Sequence, residues 1–484
     1  MKTKNLIRIL FSIAILLACG SVKAQVKTAT VTINSDSLYQ KITGFGGFVC
    51  NGQFAYNWMK TDEIQKLWGQ NSEAGYNIMR LYIPVKPVGG TDASYWSQTV
   101  APAKQAKSLG AIVFASPWSM PTTWKTYNSQ ASLYNNNNNY LLETYYADYA
   151  NYLNDYVTYM RDNGVELDAI SIQNEPDMGV SYAGCIWTPA QITSFIKNYG
   201  SLISCKIIAP ESIGMTDNYA NALLADDSAL DNLSIYAGHQ YSYIQSAFQQ
   251  LQAKGKEAWM TEYLINWNPN TPSPTDRNFD WQQDAFNFAE SVNNALLANV
   301  NAWIHYAAKR FYGLLGDGSF GTVSGTMTKR GYILSHYAKN TIGSTRIKAS
   351  WQDASKVLQG SSYISQTGDS IIVMVINPSS DTYSLTVDLP FNTNTGKSIV
   401  TTASVNMSAT DLTMDEETSS PVVDINASSM TTLIFTKNNS TAIPVIVNKK
   451  EKSDILYDLM GHRVYYPQKK VVYIYKDGRK VIFD

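Results

Sequence analysis

The sequence predicts an α/β protein in which a (β/α)8 TIM barrel carries an attached antiparallel β-sandwich. Short apolar runs alternate with longer helical stretches eight times between residues 40 and 345, as they do in that barrel. The runs are apolar throughout, which is typical of a parallel sheet that is covered on both faces. From residue 346 to residue 437 the pattern changes to short strands separated by polar turns, which indicates a sandwich.

Residues 1–24 have the features of a secretory signal peptide. A basic start precedes an apolar run over 9–18 and a small-x-small cleavage site at 22–24. The apolar run is too short to be a stable membrane span. An alternative is that 16–19, Leu-Leu-Ala-Cys, is a lipobox, which would make Cys19 a lipidated N-terminus. We therefore expect a secreted or cell-surface protein.

Composition narrows the class of function. Lys plus Arg number 38 and Asp plus Glu 39, so charge offers no argument for a nucleic acid or an anionic membrane as partner. The 32 tyrosines and 11 tryptophans suit the faces of sugars, although they suit cores and sheets as well. The cysteines and the four histidines show no metal-ligand spacing, so no metal or cofactor is predicted. A monomer is expected.

Eight strand–helix units make up the predicted barrel over 40–345. The strands are predicted at 44–49, 77–83, 111–116, 167–173, 206–209, 233–237, 258–262 and 301–306. The helices that follow them are predicted at 62–74, 102–109, 141–162, 189–199, 218–225, 244–253, 281–297 and 331–340.

The side sandwich is predicted to combine chain segments from before and after the barrel. An alternating strand within 28–37 precedes the barrel and is expected to join the strands of 346–437. Residues 438–484 are predicted to be a polar linker and a small β tail. That tail resembles the sorting segments of some secreted bacterial proteins.

The stretch 171–177, Ser-Ile-Gln-Asn-Glu-Pro-Asp, is where we expect the chemistry. An apolar run ends there at Glu175, and Pro176 cannot extend a central strand. Glu175 should therefore lie at the C-terminal lip of the fourth barrel strand, which is the catalytic face of such a barrel.

A second carboxylate, Glu262, ends the seventh strand. Either glutamate alone could merely cap a strand end, but together they would face one cleft from opposite sides. Glycoside hydrolysis needs such a pair, one acid to protonate the leaving oxygen and one carboxylate to attack. We expect Glu262 to be the ionised nucleophile and Glu175 the acid and then the base. Glu211, after the fifth strand, is interpreted as structural or as a contact to a sugar hydroxyl.

Several motifs together resemble glycoside hydrolase family 30, in particular its bacterial glucuronoxylan-cleaving subfamily. The resemblance covers residues 28 to 437, whereas Asn-Glu-Pro alone indicates only the larger clan. The matching stretches are Gly-Phe-Gly-Gly at 44–47, Ile-Met-Arg-Leu-Tyr at 78–82, Ser-Pro-Trp-Ser-Met-Pro at 116–121, Gln-Asn-Glu-Pro at 173–176, Trp-Met-Thr-Glu at 259–262, Arg-Phe-Tyr-Gly at 310–313 and Lys-Arg-Gly-Tyr at 329–332.

The resemblance implies a role for each matching residue. Glu175 corresponds to the acid/base and Glu262 to the nucleophile. Asn174 would bond the sugar 2-hydroxyl, and Arg80 would keep the nucleophile ionised. The remaining substrate-binding residues that it implies are Trp118 as a stacking platform, Tyr241 as a partner of the nucleophile, and Tyr306 in place of the usual platform after strand eight.

Arg310 bears on the choice of polymer. The resemblance implies that this guanidinium pairs with the carboxylate of a glucuronate branch on xylan, with Tyr312 adding a hydroxyl. After the nucleophile, however, Leu264 and Trp267 stand where the subfamily often has a Tyr and a Ser. Strict dependence on glucuronate is therefore left open.

These observations predict a retaining endo-acting hydrolase that cleaves β-1,4-xylan, with glucuronoxylan of the plant cell wall as its polymer. One alternative keeps the barrel and the mechanism and changes the sugar, as in a β-1,6-glucanase or a β-glucosidase-like enzyme. Another is a carbohydrate-binding protein without catalysis, against which the presence of both glutamates argues.

Overall fold

A computed structural model describes residues 26–49, 59–265, 281–438, 456–459, 463–464, 468–475 and 480–482, without the side chains of Gln283 and Arg463. The predicted signal peptide with Cys19 lies outside the described residues, as does Trp267. None of the described helices is long and apolar enough to cross a lipid bilayer.

Eight parallel strands close into a barrel in sequence order, which confirms the predicted fold class. The last strand pairs with the first, His305 opposite Gly47. The barrel strands are Gly44–Val49, Ile78–Ile83, Ile112–Pro117, Ala169–Ser171, Lys206–Ser212, Leu233–His239, Glu257–Glu262 and Ala302–His305.

Helices surround the barrel. Their bounds are Thr61–Leu67, Asp92–Ser108, Tyr146–Asp162, Pro189–Tyr199, Asp217–Leu224, Asp227–Asn232, Phe248–Ala253, Phe286–Leu297 and Lys329–Thr341. The second helix was wrongly predicted to begin at Pro102. It begins ten residues earlier and contains that proline, because the buried face on which Trp96, Thr99 and Ala103 lie already extends through the preceding turns.

Two apolar layers hold the barrel together. Side chains such as Phe114, Ile208 and Trp259 fill its interior. The alternate residues of the same strands, such as Met79 and Val113, pack outward against the helices. This alternation follows from the period of two along a strand, and it also turns Arg80, two residues after Ile78, toward the inside.

The side domain is one nine-stranded sheet that is antiparallel except for one parallel pair. The early strand Lys27–Lys41 lies inside this sheet, antiparallel to Thr345–Asp353 and parallel to Tyr383–Asp388. Its own apolar cluster includes Val31 and Phe435. The remaining strands are Gln359–Ile364, Ser370–Asn377, Thr393–Thr401, Ser408–Thr418, Val422–Ile425 and Ser429–Thr436.

The chain from Lys437 onward forms a second compact unit. Its described residues contain a small antiparallel sheet, and Tyr473 is buried. The strands of this sheet are Leu456–Tyr457, Arg463–Val464, Val472–Tyr475 and Lys480–Ile482.

Candidate active site

Glu175 and Glu262 meet at the C-terminal end of the barrel. An oxygen of each carboxylate and a ring nitrogen of His239 all lie within 4.8 Å of one another. Both glutamates are mostly buried, with 8% and 7% of their surface exposed. The sequence predicted that these two carboxylates would share one cleft, and the structure places them together.

A bulge directs Glu262 into this site. Met260 pairs with Gly238 on the neighbouring strand and Glu262 with the very next residue, His239, so Thr261 is the extra residue. In a regular strand Glu262 would point outward like Met260, which packs against the helices. Bulges next to active sites commonly re-aim a side chain in this way.

The backbone of Glu175 adopts a left-handed conformation, with φ of 47°. Such a conformation costs a residue with a Cβ about 1 kcal/mol or more and persists only where its surroundings hold it. Here the N–H of Glu175 donates to the carbonyl of Glu211 at 2.9 Å, and the preceding N–H of Asn174 donates to the carbonyl of Pro117 at 2.9 Å.

Arg80 is fully buried and contacts residues at the ends of the fourth and seventh strands. Its Nη1 donates to Oε2 of Glu262 at 2.5 Å, and its Nη2 donates to Oδ1 of Asn174 at 2.6 Å. Its Nε donates to Ser116 Oγ and lies 3.2 Å from Oε1 of Glu211. A buried cation is tolerated where carboxylates and hydrogen bonds compensate its lost hydration, and here two carboxylates do so.

Tyr241 completes the surroundings of Glu262. Its hydroxyl donates to Oε1 at 3.1 Å, so each carboxylate oxygen has one donor. Burial and the nearby Glu262 and Glu175 raise the pKa of Tyr241 well above its usual value, which keeps the phenol protonated. Tyr241 was predicted as a partner of this carboxylate, and the structure places it there.

His239 was missed as a site residue by reasoning from sequence. Its Nδ1 lies 3.1 Å from Oε1 of Glu175, and its Nε2 has no hydrogen-bond partner in the described part of the chain. Burial lowers the pKa of His239, which favours the neutral ring. The available signal was its place at the end of the sixth barrel strand, two residues before Tyr241.

The two glutamates have different electrostatic surroundings. Burial raises the pKa of Glu175 to about 7, with Arg80 opposing the shift and the charges of Asp177 and Glu211 adding to it. Burial also raises the pKa of Glu262, but the Arg80 guanidinium opposes it through its charge and through a direct hydrogen bond. Carboxylates this close titrate as a pair. We assign the negative charge of that pair to Glu262, because it alone contacts the guanidinium.

Two carboxylates and an imidazole are also a set of metal ligands in chemical terms. Oε2 of Glu262, however, already receives a hydrogen bond from the Arg80 guanidinium. A metal cation at this oxygen would be repelled by that fixed positive charge. The donor set therefore fits acid–base chemistry better than metal binding.

Aromatic side chains line the neighbouring region of the barrel mouth. Trp118 lies 4.6 Å from Tyr82 and 5.3 Å from Phe48, measured between ring centroids. Tyr306 stacks on Phe48 at 4.9 Å and lies 6.4 Å from Tyr312. The predicted sugar contacts Trp118, Tyr306 and Tyr312 thus belong to one cluster, in which Trp118 and Tyr312 are themselves largely buried.

Arg310 lies next to this aromatic cluster and is paired with a carboxylate of the protein itself. Its Nη1 is 3.0 Å from Oδ2 of Asp317. Oδ1 of Asp317 accepts hydrogen bonds from the backbone N–H and the hydroxyl of Ser319 at 3.0 and 2.6 Å. The Asp317 side chain is only 5% exposed. The sequence indicated Arg310 but contained no signal for this pairing.

The family model described as "Glycosyl hydrolase family 30 TIM-barrel domain" matches residues 98–305 of this chain. The glucuronoxylanase XynC of Bacillus subtilis (strain 168) is 31% identical over 390 residues. That alignment spans 77% of this chain and 86% of the relative.

Two solved structures share the architecture. A GH30 endoxylanase from Clostridium papyrosolvens C71 has a TM-score of 0.69 at 29% identity, over 85% of this chain and 100% of that one. The family 30 subfamily 8 xylanase Xyn30A from Clostridium acetobutylicum has a TM-score of 0.71 at 26% identity, over 84% and 99%.

Proposed function

Because the chain belongs to glycoside hydrolase family 30 and is a glycoside hydrolase, we propose that it is a retaining endo-acting xylanase whose polymer is glucuronoxylan. The observation that carries the mechanism is the approach of Glu175 and Glu262, with carboxylate oxygens within 4.8 Å. Retaining enzymes hold their two carboxyl groups about 5–5.5 Å apart, whereas inverting enzymes separate them by about 6.5–9.5 Å to admit a water.

In the first step, Glu262 attacks the anomeric carbon while Glu175 protonates the departing glycosidic oxygen. The sugar is then joined to Glu262 through an ester-like bond, and Glu175 is ionised. In the second step, Glu175 takes a proton from water, the water oxygen attacks the anomeric carbon, and Glu262 leaves as a carboxylate. Glu175 thereby returns to its protonated form, and the configuration at the anomeric carbon is retained.

Asn174 has a defined orientation in this scheme. Its Oδ1 accepts from Arg80 at 2.6 Å, which leaves the Nδ2 group to donate to a sugar hydroxyl. A hydrogen bond to the 2-hydroxyl strengthens as positive charge develops on the ring, so it lowers the barrier as well as binding the substrate. Arg80 therefore orients Asn174 and holds Glu262 at the same time.

The choice of xylan rests on the relatives and on the aromatic cluster. The aligned relative is a glucuronoxylanase, and the two solved structures are of xylanases. Flat rings such as Trp118 and Tyr306 suit the faces of pyranose sugars. Arg310 would contact the acidic branch. Secretion directed by residues 1–24, or anchoring through a lipidated Cys19, would place the enzyme where plant polysaccharide is found.

Purified protein tests this proposal on glucuronoxylan, on unbranched xylan and on β-1,6-glucan. We expect oligosaccharides from glucuronoxylan, with mass spectrometry placing the acidic branch at one fixed position from the reducing end. Proton NMR during the first minutes should show the β-anomer of the new reducing end. Release of xylose alone, an α-anomer, or hydrolysis only of the β-1,6-glucan would overturn the corresponding part of the proposal.

A further inference from the structure

Glu211 is a third carboxylate in the catalytic centre with no part in the two-step mechanism above. It belongs to the fifth barrel strand, and its side chain is fully buried. Neither of its carboxylate oxygens has a hydrogen-bond partner in the described part of the chain, although Oε1 lies 3.2 Å from Nε of Arg80. Its complete burial removes the predicted contact to a sugar hydroxyl.

Glu211 has an unusual backbone conformation, as does Glu175, the proposed acid/base. Pro210 pairs with Ala237 and Ser212 with Gly238, so Glu211 is the extra residue of a second bulge. Its φ is 58°, a left-handed conformation like that of Glu175. The two residues are joined directly, because the N–H of Glu175 donates to the carbonyl of Glu211. Glu175 and Glu211 are therefore two hydrogen-bonded residues that both hold an unfavourable backbone conformation. This indicates that the site depends on where their side chains are placed.

The charges around Glu211 come from several other strands. Arg80 lies on the second strand, Glu175 follows the fourth, His239 ends the sixth and Glu262 the seventh, with Asp177 beyond Glu175 and the Tyr241 phenol on Glu262. Burial raises the pKa of Glu211, but the charge of the Arg80 guanidinium opposes that effect, and the pKa lies below its usual value. Glu211 is therefore ionised throughout the pH range in which the enzyme is expected to act.

One guanidinium thus faces two carboxylates, Glu211 and Glu262. Without Glu211, the full positive charge of Arg80 would act on Glu262 and Glu175. It would stabilise the ionised form of each, make Glu262 a weaker nucleophile and make Glu175 lose its proton at lower pH.

We propose that Glu211 is a positioning residue that takes up part of the charge of Arg80 and thereby sets the pH range in which Glu175 is an acid and Glu262 a nucleophile. The inference rests on the proposed roles of those two glutamates, although it does not depend on which polymer is cleaved. Glu211 touches no substrate and acts only through Arg80 and through its carbonyl contact to Glu175.

The test compares the pH profile of kcat/KM for the wild type with those of E211Q and E211M, which both remove the charge. The substrate is whichever polymer the wild type hydrolyses. We expect both limbs of the bell-shaped profile to move about one pH unit toward acid in each variant. S116A is the matched control, since Ser116 also bonds Nε of Arg80 but carries no charge. Its limbs should stay where those of the wild type are, whatever its rate.

Each result decides. Limbs that stay in place, or move toward alkaline pH, in a folded E211Q or E211M contradict the proposal even if the rate falls. If thermal melting shows that neither variant folds, Glu211 is a structural residue and the proposal is overturned. A wild type that hydrolyses no β-linked polymer refutes the proposed function instead, before any variant is compared.

Discussion

Nδ1 of His239 lies 3.1 Å from the carboxylate of Glu175, while Glu262, across the site, contacts Arg80 and Tyr241. The two glutamates therefore differ in what faces them, one a neutral buried ring and the other a fixed cation and a phenol. Enzymes obtain one acid and one base from the same residue type by placing two carboxylates in environments that push their pKa values apart.

The first prediction concerns the separate roles of the pair. E175Q should lower kcat by about 10²–10⁴-fold on xylan, since it removes the proposed general acid. On an aryl β-xyloside whose leaving group needs no proton, the formation of the covalent intermediate should be spared and its hydrolysis slowed. A burst of phenol followed by a slow steady state, measured by absorbance, would show this.

E262Q should behave differently, since the proposed mechanism makes Glu262 the nucleophile for every substrate. We expect a loss of about a thousandfold or more, or about 4 kcal/mol in the barrier, on both the polymer and the aryl xyloside. E143Q, the same substitution at an exposed glutamate, serves as control and should retain full activity. Full activity of E262Q would refute the assignment.

The second prediction is a limit on activity at alkaline pH. Burial raises the pKa of Glu175 to about 7, and the proposed mechanism needs its protonated form. kcat/KM should therefore fall about tenfold per pH unit above that value. D177N removes a nearby negative charge that raises this pKa, so its alkaline limb should lie at lower pH. A limb that D177N leaves in place would show that another group controls it.

The barrel and the principal pair could be predicted because both leave local traces in the sequence. Apolar runs of strand length, each followed by a helical stretch, predict the barrel from local sequence alone. Glu175 and Glu262 stand at the ends of two such runs. The contact between Glu211 and Arg80 leaves no such trace. It depends on a bulge at Glu211, and a period-two pattern cannot reveal one extra residue in a strand.

His239, which contacts Glu175, and Asp317, which contacts Arg310, could not be predicted from the sequence for the same physical reason. His239 and Asp317 act through contacts to residues 64 and 7 positions away in the chain, and both contacts are set by packing rather than by spacing. Asp317 in particular faces Arg310 because Ser319 holds its other oxygen. The sequence shows the presence of these side chains, but not the directions in which they point.

The third prediction concerns the choice between acidic and neutral xylan. Asp317 partly neutralises Arg310, so a glucuronate branch meets less positive charge than an unpaired guanidinium would offer. D317N should lower KM for glucuronoxylan severalfold and leave KM for unbranched xylan unchanged. R310A should raise KM for glucuronoxylan alone.

A higher KM in D317N would indicate a different role for Asp317. If D317N raises KM for glucuronoxylan as R310A does, then Asp317 orients the guanidinium for its ligand instead of competing with it. Equal activity of R310A and the wild type on the branched polymer would remove Arg310 from recognition altogether.

The last prediction concerns stability in acid and rests on His336, which joins the final barrel helix to the side sheet. Its Nδ1 bonds the hydroxyl of Thr432 at 2.7 Å and its Nε2 that of Thr401 at 2.8 Å. Burial lowers the pKa of His336 to about 3. Between that value and its usual pKa of about 6.5, the unfolded chain binds a proton that the folded chain does not, so stability falls as pH falls.

At pH 5 this single group should lower the free energy of unfolding by about 2 kcal/mol relative to neutral pH. H336Q keeps a polar side chain that does not titrate. It should be less stable than the wild type at pH 7, since one hydrogen bond to a threonine is lost, but its stability should fall less steeply toward pH 5. Urea unfolding at a series of pH values measures both slopes. If the free energy of unfolding falls equally steeply with pH in both proteins, then His336 does not cause the loss of stability in acid.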